Sequence, residues 1–128
     1  AFDGAGLTLA LAASDGLAEK LAALLPSGVE LVRVAGLGAL YDATEEGRAP
    51  SLMVCEIPAG REHRLDQLGL VRRQPAAAKA PILVLLGRPV RRTVMRCAAA
   101  GLFDVLPADA DPEVVRRRLE QLLQRASG

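Results

Sequence analysis

The chain has 128 residues and a formal net charge of +1, enough for one domain that buries roughly two-thirds of its unfolded surface without disulfides or metals. Its apolar half is Leu, Val and Ala, with one Tyr, two Phe and no Trp, and the near-neutral balance by itself points to no electrostatic partner. No apolar run is long enough to span a membrane and no basic-then-apolar leader opens the chain, so a cytoplasmic protein without membrane attachment is expected. Cys55 and Cys97 have neither CxxC nor Cys/His spacing, which reads as two reduced, buried thiols and no metal site. Lys20 and Lys79 are the only lysines; this Arg bias, with the Ala and Leu richness, suggests a GC-rich bacterial genome.

In chain order, 1–6 is a Gly-containing lead-in, and a chain that begins at Ala1 fits a processed start or a domain cut from a longer protein. "LTLALAAS" (Leu7 to Ser14) predicts the first strand, with Ser14 or Asp15 as helix cap. Leu17, Leu21, Leu24 and Leu25 then recur at helical spacing until Pro26 and Gly28. "VELVRV" (Val29 to Val34) alternates apolar and charged residues as a half-exposed edge strand does. A short helix follows from Leu37 to Glu46, with Leu37, Leu40 and Tyr41 inward. "SLMVCEIPAG" (Ser51 to Gly60) is an apolar strand that ends on Glu56 and a Pro/Gly turn. Arg61 to Arg73 predicts a charged helix with Leu65, Leu68 and either Val71 or Leu70 facing inward, weakened by Gly69.

Gln74 to Ala80 reads as a flexible, Ala-rich connection, and "PILVLLG" (Pro81 to Gly87) as the second fully apolar strand. The helix Val90 to Ala100 is expected to bury Val90, Val94, Cys97 and Ala98. "LFDVL" (Leu102 to Leu106) is a fifth strand. Asp111 then caps, Pro112 takes the first helical position, and Glu113 complements the dipole of a last helix that buries Val115, Leu119, Leu122 and Leu123. Five strands alternating with five helices, the most apolar strands in the middle, predict a single α/β domain over 1–128: a five-stranded, doubly wound parallel sheet, (βα)5, of flavodoxin-like type. A carboxylate at the C-terminal end of a central strand sits where such sheets place ligands or chemistry.

"PSLMVCE", "APILVLLG" and "AAAGLFDVLP" give the chain a resemblance over nearly its whole length to the receiver domain of bacterial response regulators. The resemblance implies a phospho-acceptor at Glu56, where the family has Asp. It implies a magnesium-holding acid pair at Ala13 and Ser14, a Thr or Ser at Leu86, a Lys at Ala108 followed by Pro at Asp109, and an aromatic switch at Val105. None of these positions carries the family's residue, and Pro58 lies two places after Glu56 where the family's Pro lies four after its Asp. Phosphoryl transfer depends on positioning and on neutralising charge. Ala13 offers magnesium no oxygen and Ser14 only a hydroxyl, Ala108 brings no cation, and Glu56 carries its carboxylate one methylene too far. The resemblance thus implies a degenerate, non-phosphorylatable receiver in which Glu56 is either a phosphoaspartate mimic or a tolerated remnant.

His63, the only histidine, has no partner spaced for catalysis or metal binding. Neither a GxGxxG after the first strand nor a GxxxxGK[ST] is present, so no nucleotide cofactor is expected. Arg92, Met95, Arg96 and Ala99 lie opposite the buried stripe of their helix, and the last helix adds Arg116 and Arg117. With Val105 they mark a candidate partner face, because in receivers the fourth helix, fifth strand and fifth helix form a common dimer and partner surface. The bland alternative is a solvated face with Glu113–Arg117 and Arg116–Glu120 as i,i+4 pairs. Direct nucleic-acid binding is not expected, since the Arg residues lack aromatic interleaving. The expected function is protein–protein contact in bacterial signalling, with a separate partner, a fused output domain or a second copy. The alternatives are a flavodoxin-like enzyme or ligand binder using Ser14, Glu56 and Leu86, and a receiver still phosphorylated at Glu56 or Asp15.

Overall fold

Two strands without a polar side chain in their interiors fix the layers. Every residue of Leu52–Cys55 and Ile82–Leu86 is at most 1% exposed, so helices must cover both faces of the sheet that contains them. The computed structural model describes residues 4–47, 50–101 and 104–127. In order it runs β1 (Thr8–Ala12), α1 (Asp15–Leu24), β2 (Glu30–Arg33), α2 (Leu37–Glu45), β3 (Leu52–Ile57), α3 (Arg64–Arg73), a 3-10 turn (Pro75–Ala77), β4 (Ile82–Leu86), α4 (Arg91–Ala99), β5 (Asp104–Pro107) and α5 (Pro112–Ser127). The strands form one sheet in the order β2-β1-β3-β4-β5, all parallel. This is the predicted doubly wound α/β fold.

Alternation along the inner strands divides the core in two. Met53, Cys55, Ile57, Ile82, Val84 and Leu86 pack under α2, α3 and α4, against Leu40, Leu65, Leu68, Val71 and Cys97. Leu52, Val54, Leu83 and Leu85 pack under α1 and α5, against Leu21, Val115, Leu119, Leu122 and Leu123. Both thiols are buried and free. Burial pushes the Cys55 thiol up to about 12 and raises that of Cys97 as well.

Several expectations are corrected. The lead-in is pinned where it is described: the Gly4 amide donates to Ser27 at 2.8 Å and Leu7 closes a turn onto Gly4, with Gly6 at φ 83. Helix α3 starts at Arg64, because Pro58 to Arg61 is used in a turn with Gly60 at φ 83. Leu70 is half exposed, and Val71 takes the inward place. In α4 the buried residues are Thr93 and Cys97, while Val94 is 39% exposed, Ala98 is exposed and Val90 is the non-helical N-cap. Thr93 lies one turn before Cys97 on the same stripe, which turns Val94 onto the helix flank. The fifth strand begins at Asp104 among the described residues; Leu102 and Phe103, predicted in it, lie outside them.

The stretch from Gln74 to Ala80 is ordered. Ala77 is wholly buried, and the Arg72 guanidinium gathers the backbone around it. Its Nη1 donates to the carbonyls of Ala77 (3.0 Å) and Ala80 (2.5 Å), and its Nε to Gly101 (3.2 Å) beyond α4. Burial lowers the pKa of this group, but a guanidinium stays protonated in proteins. Arg72→Met should therefore leave four carbonyls, those of Ala77, Ala78, Ala80 and Gly101, without the guanidinium and lower unfolding free energy by about 2–3 kcal/mol, read as a drop in urea midpoint. A midpoint unchanged from the parent would show that the clamp carries no stability.

Candidate functional site

Strand order reverses between β1 and β3, so the crevice at their C-terminal ends is where this topology admits a site. Glu56 continues the side-chain set of Leu52 and Val54, which faces α1 and α5. At the strand end it emerges beside the first turn of α1. There its Oε1 accepts the Ser14 amide hydrogen at 2.8 Å. Ser14 is the N-cap of α1 by backbone (φ −62, ψ 158) but makes no side-chain capping bond; its carbonyl accepts from Ala18. Asp15, the other predicted cap, instead pairs with Arg33 at 2.8 Å. The same Arg33 Nη2 donates to the Ala13 carbonyl at 3.1 Å. With side chains 45% and 91% exposed, the Arg33–Asp15 pair contributes about 0.5 kcal/mol. Its effect is to hold the Arg33 guanidinium against the loop between β1 and α1.

The other predicted pocket residues are not gathered there. Leu86 belongs to the opposite face of the sheet and is 1% exposed. Its carbonyl accepts the Ala108 amide at 2.8 Å, which fixes the end of β5. The Ala108 methyl lines a largely apolar cavity of about 400 Å3 between α1 and α5, with Leu17, Leu24 and Val115. Asp109 stands at the same cavity. Ala13 packs at the edge of the α1/α5 core, and Val105 packs against the α4 side. Gly87 lies against the β3–α3 turn so closely that an added Cβ would meet the Ala59 nitrogen at 2.7 Å.

The predicted partner residues also divide. Arg96 reaches α3, pairing with Asp66 at 3.0 Å, and Arg92 lines a groove with Gly60 and Glu62. Ala99 faces a second groove, with Leu65, Gly69 and Arg73. These three therefore lie on the α3 side of α4 and correct the single face expected with Val105. Met95 is 59% exposed. Arg116 binds Glu113 and Glu120 within α5, and Arg117 joins Glu113 at 3.4 Å, as in the solvated reading. The flank of α5 that meets β5 carries Arg118, paired with Asp104 at 2.8 Å. Val114, one turn earlier, is 46% exposed. Across β5, the matching flank of α4 carries Val94, whereas Val90, the N-cap, lines the groove with Gly60 and Arg92.

No family model and no curated protein sequence matches the chain. Solved structures do match over nearly its whole length. A putative response regulator from Chloroflexus aurantiacus is 25% identical with a TM-score of 0.75, covering 93% of this chain and 98% of its own. A signal receiver domain of a two-component histidine kinase from Clostridium thermocellum is 14% identical with a TM-score of 0.80, covering 93% and 98%. The receiver domain of a sensor histidine kinase from Pseudomonas aeruginosa, with magnesium coordinated in its active-site cleft, is 17% identical with a TM-score of 0.73, covering 94% and 99%. The chain has the receiver fold.

Within that receiver fold, sequence reasoning missed Arg33, Arg72 and the basic groove of Arg88 and Arg91. Arg33 could have been found, since it is a charge at the C-terminal end of the strand beside β1. Among the described residues no cluster of three or more His, Cys, Asp or Glu is arranged to hold a metal. His63 is exposed at the foot of α3.

Two substitutions test this geometry. Glu56→Ala should cost about 1–2 kcal/mol and Glu56→Gln less, because a charge-assisted bond to a backbone amide is lost in the first and weakened in the second. Exchange of the Ser14 amide should speed up in the same order. Gly87→Ala forces backbone against backbone and should cost about 1–3 kcal/mol; a neutral result in chemical denaturation would mean that the two turns do not approach in solution.

Proposed function

We propose that this chain is a receiver-like module of bacterial signalling, working in the cytoplasm by protein contact and without phosphoryl transfer. The observation that carries the reading is the bond between the Glu56 carboxylate and the Ser14 amide. It commits the acceptor-position carboxylate to a backbone donor. Arg33 is held on the Ala13 carbonyl and Asp15, and the acid-pair positions Ala13 and Ser14 offer no carboxylate to an ion that prefers carboxylate and water oxygens. The residues therefore do not fit magnesium. Leu86 brings no hydroxyl and Ala108 no ammonium to a transferring group, so neither positioning nor charge neutralisation is supplied. Glu56 reads as a tether of β3 to α1, in place of a mimic of phosphoaspartate, since the partners for a mimic are apolar or remote.

The contact surface that fits best is the one around β5. Val94 on α4 and Val114 on α5 are exposed apolar side chains flanking a strand edge, with the Asp104–Arg118 pair between them. An apolar centre with a polar pair beside it suits a protein interface, and its simplest occupant is a second copy related by two-fold symmetry. A flavodoxin-like ligand site at Ser14, Glu56 and Leu86 is less well supported, because Leu86 is sealed in the core and Glu56 is bound to the loop.

The deciding measurement is an amide NMR titration with magnesium and then beryllofluoride, with intact mass recorded after acetyl phosphate. Unchanged Ser14 and Glu56 amides and an unchanged mass are expected. Saturable shifts there, or an added phosphate mass, would restore a phosphate-driven switch. For the contact face, light scattering over rising concentration should show a dimer that Val94→Asp with Val114→Asp converts to monomer. A parent chain that stays monomeric throughout would remove self-contact from the reading.

A further inference from the structure

A cluster of uncompensated cations lies around the first turn of α4, in a groove that Glu56 does not line. A groove of about 850 Å3 opens between the β3–α3 turn at Gly60 and Glu62 and the segment from Arg88 to Arg96. Arg88, Arg91 and Arg92 make no ion pair or side-chain hydrogen bond with any described residue. The fourth guanidinium, Arg96, is already paired with Asp66. Among the described residues Glu62 is the one carboxylate lining the groove, held below the usual carboxylate range by backbone N–H groups of its own and of Gly60, with Arg88 adding to the effect. Cations therefore remain in excess there at neutral pH.

Two further observations turn a basic patch into a site. The N-terminus of α4 has no side-chain cap and no acidic residue in its first turn; Arg91 and Arg92 stand there against the helix dipole, an arrangement that an anion relieves. Thr93 is only 5% exposed and lines the groove. Its hydroxyl has no hydrogen-bond partner among the described residues, although the same residue type at Thr44 bonds two backbone carbonyls. The hydroxyl is not sealed in the core but lies at the groove wall, where it is open to donate to a ligand oxygen.

We propose that the groove formed by Arg88, Arg91, Arg92 and Thr93 binds a small ligand through a diphosphate group. Guanidinium groups match phosphate oxygens in bidentate geometry, helix N–H groups add donors at the same end, and the Thr93 hydroxyl supplies one more. Three free guanidinium groups around one opening suit a multiply charged anion better than a single carboxylate. The proposal stands apart from the contact function, because it uses the α3 flank of α4 and no residue of the β5 face.

The test is calorimetric titration of the intact chain with inorganic pyrophosphate, at low salt and at about 150 mM salt, where exposed charges are screened beyond roughly 8 Å. Amide shifts are followed alongside. Saturable one-to-one binding that persists at the higher salt, with shifts centred on Gly60 and 88–93, is expected. Arg88→Ala with Arg92→Ala should weaken it at least about tenfold. Thr93→Val, which keeps shape but removes the hydroxyl, should weaken it by about fivefold. Circular dichroism and the urea midpoint confirm that each variant is folded. Arg117→Ala, on the remote face of α5, should leave binding unchanged. Binding that vanishes at the higher salt, or that all Arg variants reduce alike, would overturn the site in favour of diffuse charge attraction. An oligoglutamate peptide that binds tighter than pyrophosphate would overturn it in favour of an acidic protein surface.

Discussion

Two-sided burial of β3 and β4 is the constraint from which the remaining structure follows. No residue between Leu52 and Cys55 or between Ile82 and Leu86 is more than 1% exposed, so a polar group can enter only where these strands end. Glu56 is the first residue of β3 that is not buried, and it emerges beside the loop that starts α1. Its bond to the Ser14 amide ties the two strands between which the winding direction changes. The chain therefore keeps the geometry of a reaction crevice at that point while filling it with a structural contact. Leu86 follows from the same constraint, since it closes the core and cannot serve the crevice.

What was legible in the sequence followed the range of the interaction. The apolar runs, the alternation of Val29 to Val34 and the Asp111-Pro112-Glu113 start of α5 each encode their element locally. Asp111 does accept the Glu113 amide at 2.9 Å. The position of Glu56 was legible for the same reason. Its partner was not, because Ser14 lies 42 residues away and nothing in either segment specifies the other. Arg33 and Asp15, 18 residues apart, and Arg72 and Gly101, 29 apart, are contacts of that kind. The roll of α4 was lost differently: Val94 and Thr93 are adjacent β-branched residues of similar size, and hydropathy favours the valine inward. Packing against the sheet chose the threonine, which left a valine outside and set a hydroxyl at the groove wall.

That choice gives one short helix two unlike flanks. Toward α3 it offers Arg92 and Arg96 and a polar groove. Toward β5 it offers Val94 and Ala98. The Arg72 clamp supports this arrangement from beneath, because one guanidinium joins the end of α3, the entry to β4 and the exit from α4. A segment whose composition suggests slack is held by a charge placed among carbonyls, and the same Arg72 and Gly101 line the groove between α3 and the end of α4.

The two sulfur atoms carry a consequence for how the molecule can be probed. Nucleophilic sulfur is the thiolate, and burial keeps Cys55, with its pKa near 12, and Cys97, shifted in the same direction, in the neutral form at ordinary pH. Both are also closed off from solvent. A cysteine introduced at the surface is then the single group that an alkylating dye or spin label meets. Ala98→Cys would put that reporter on the valine flank of α4, and Ala99→Cys on the arginine flank, one residue and about 100° apart around the helix axis. The native chain thus serves as its own background for reading the two surfaces separately.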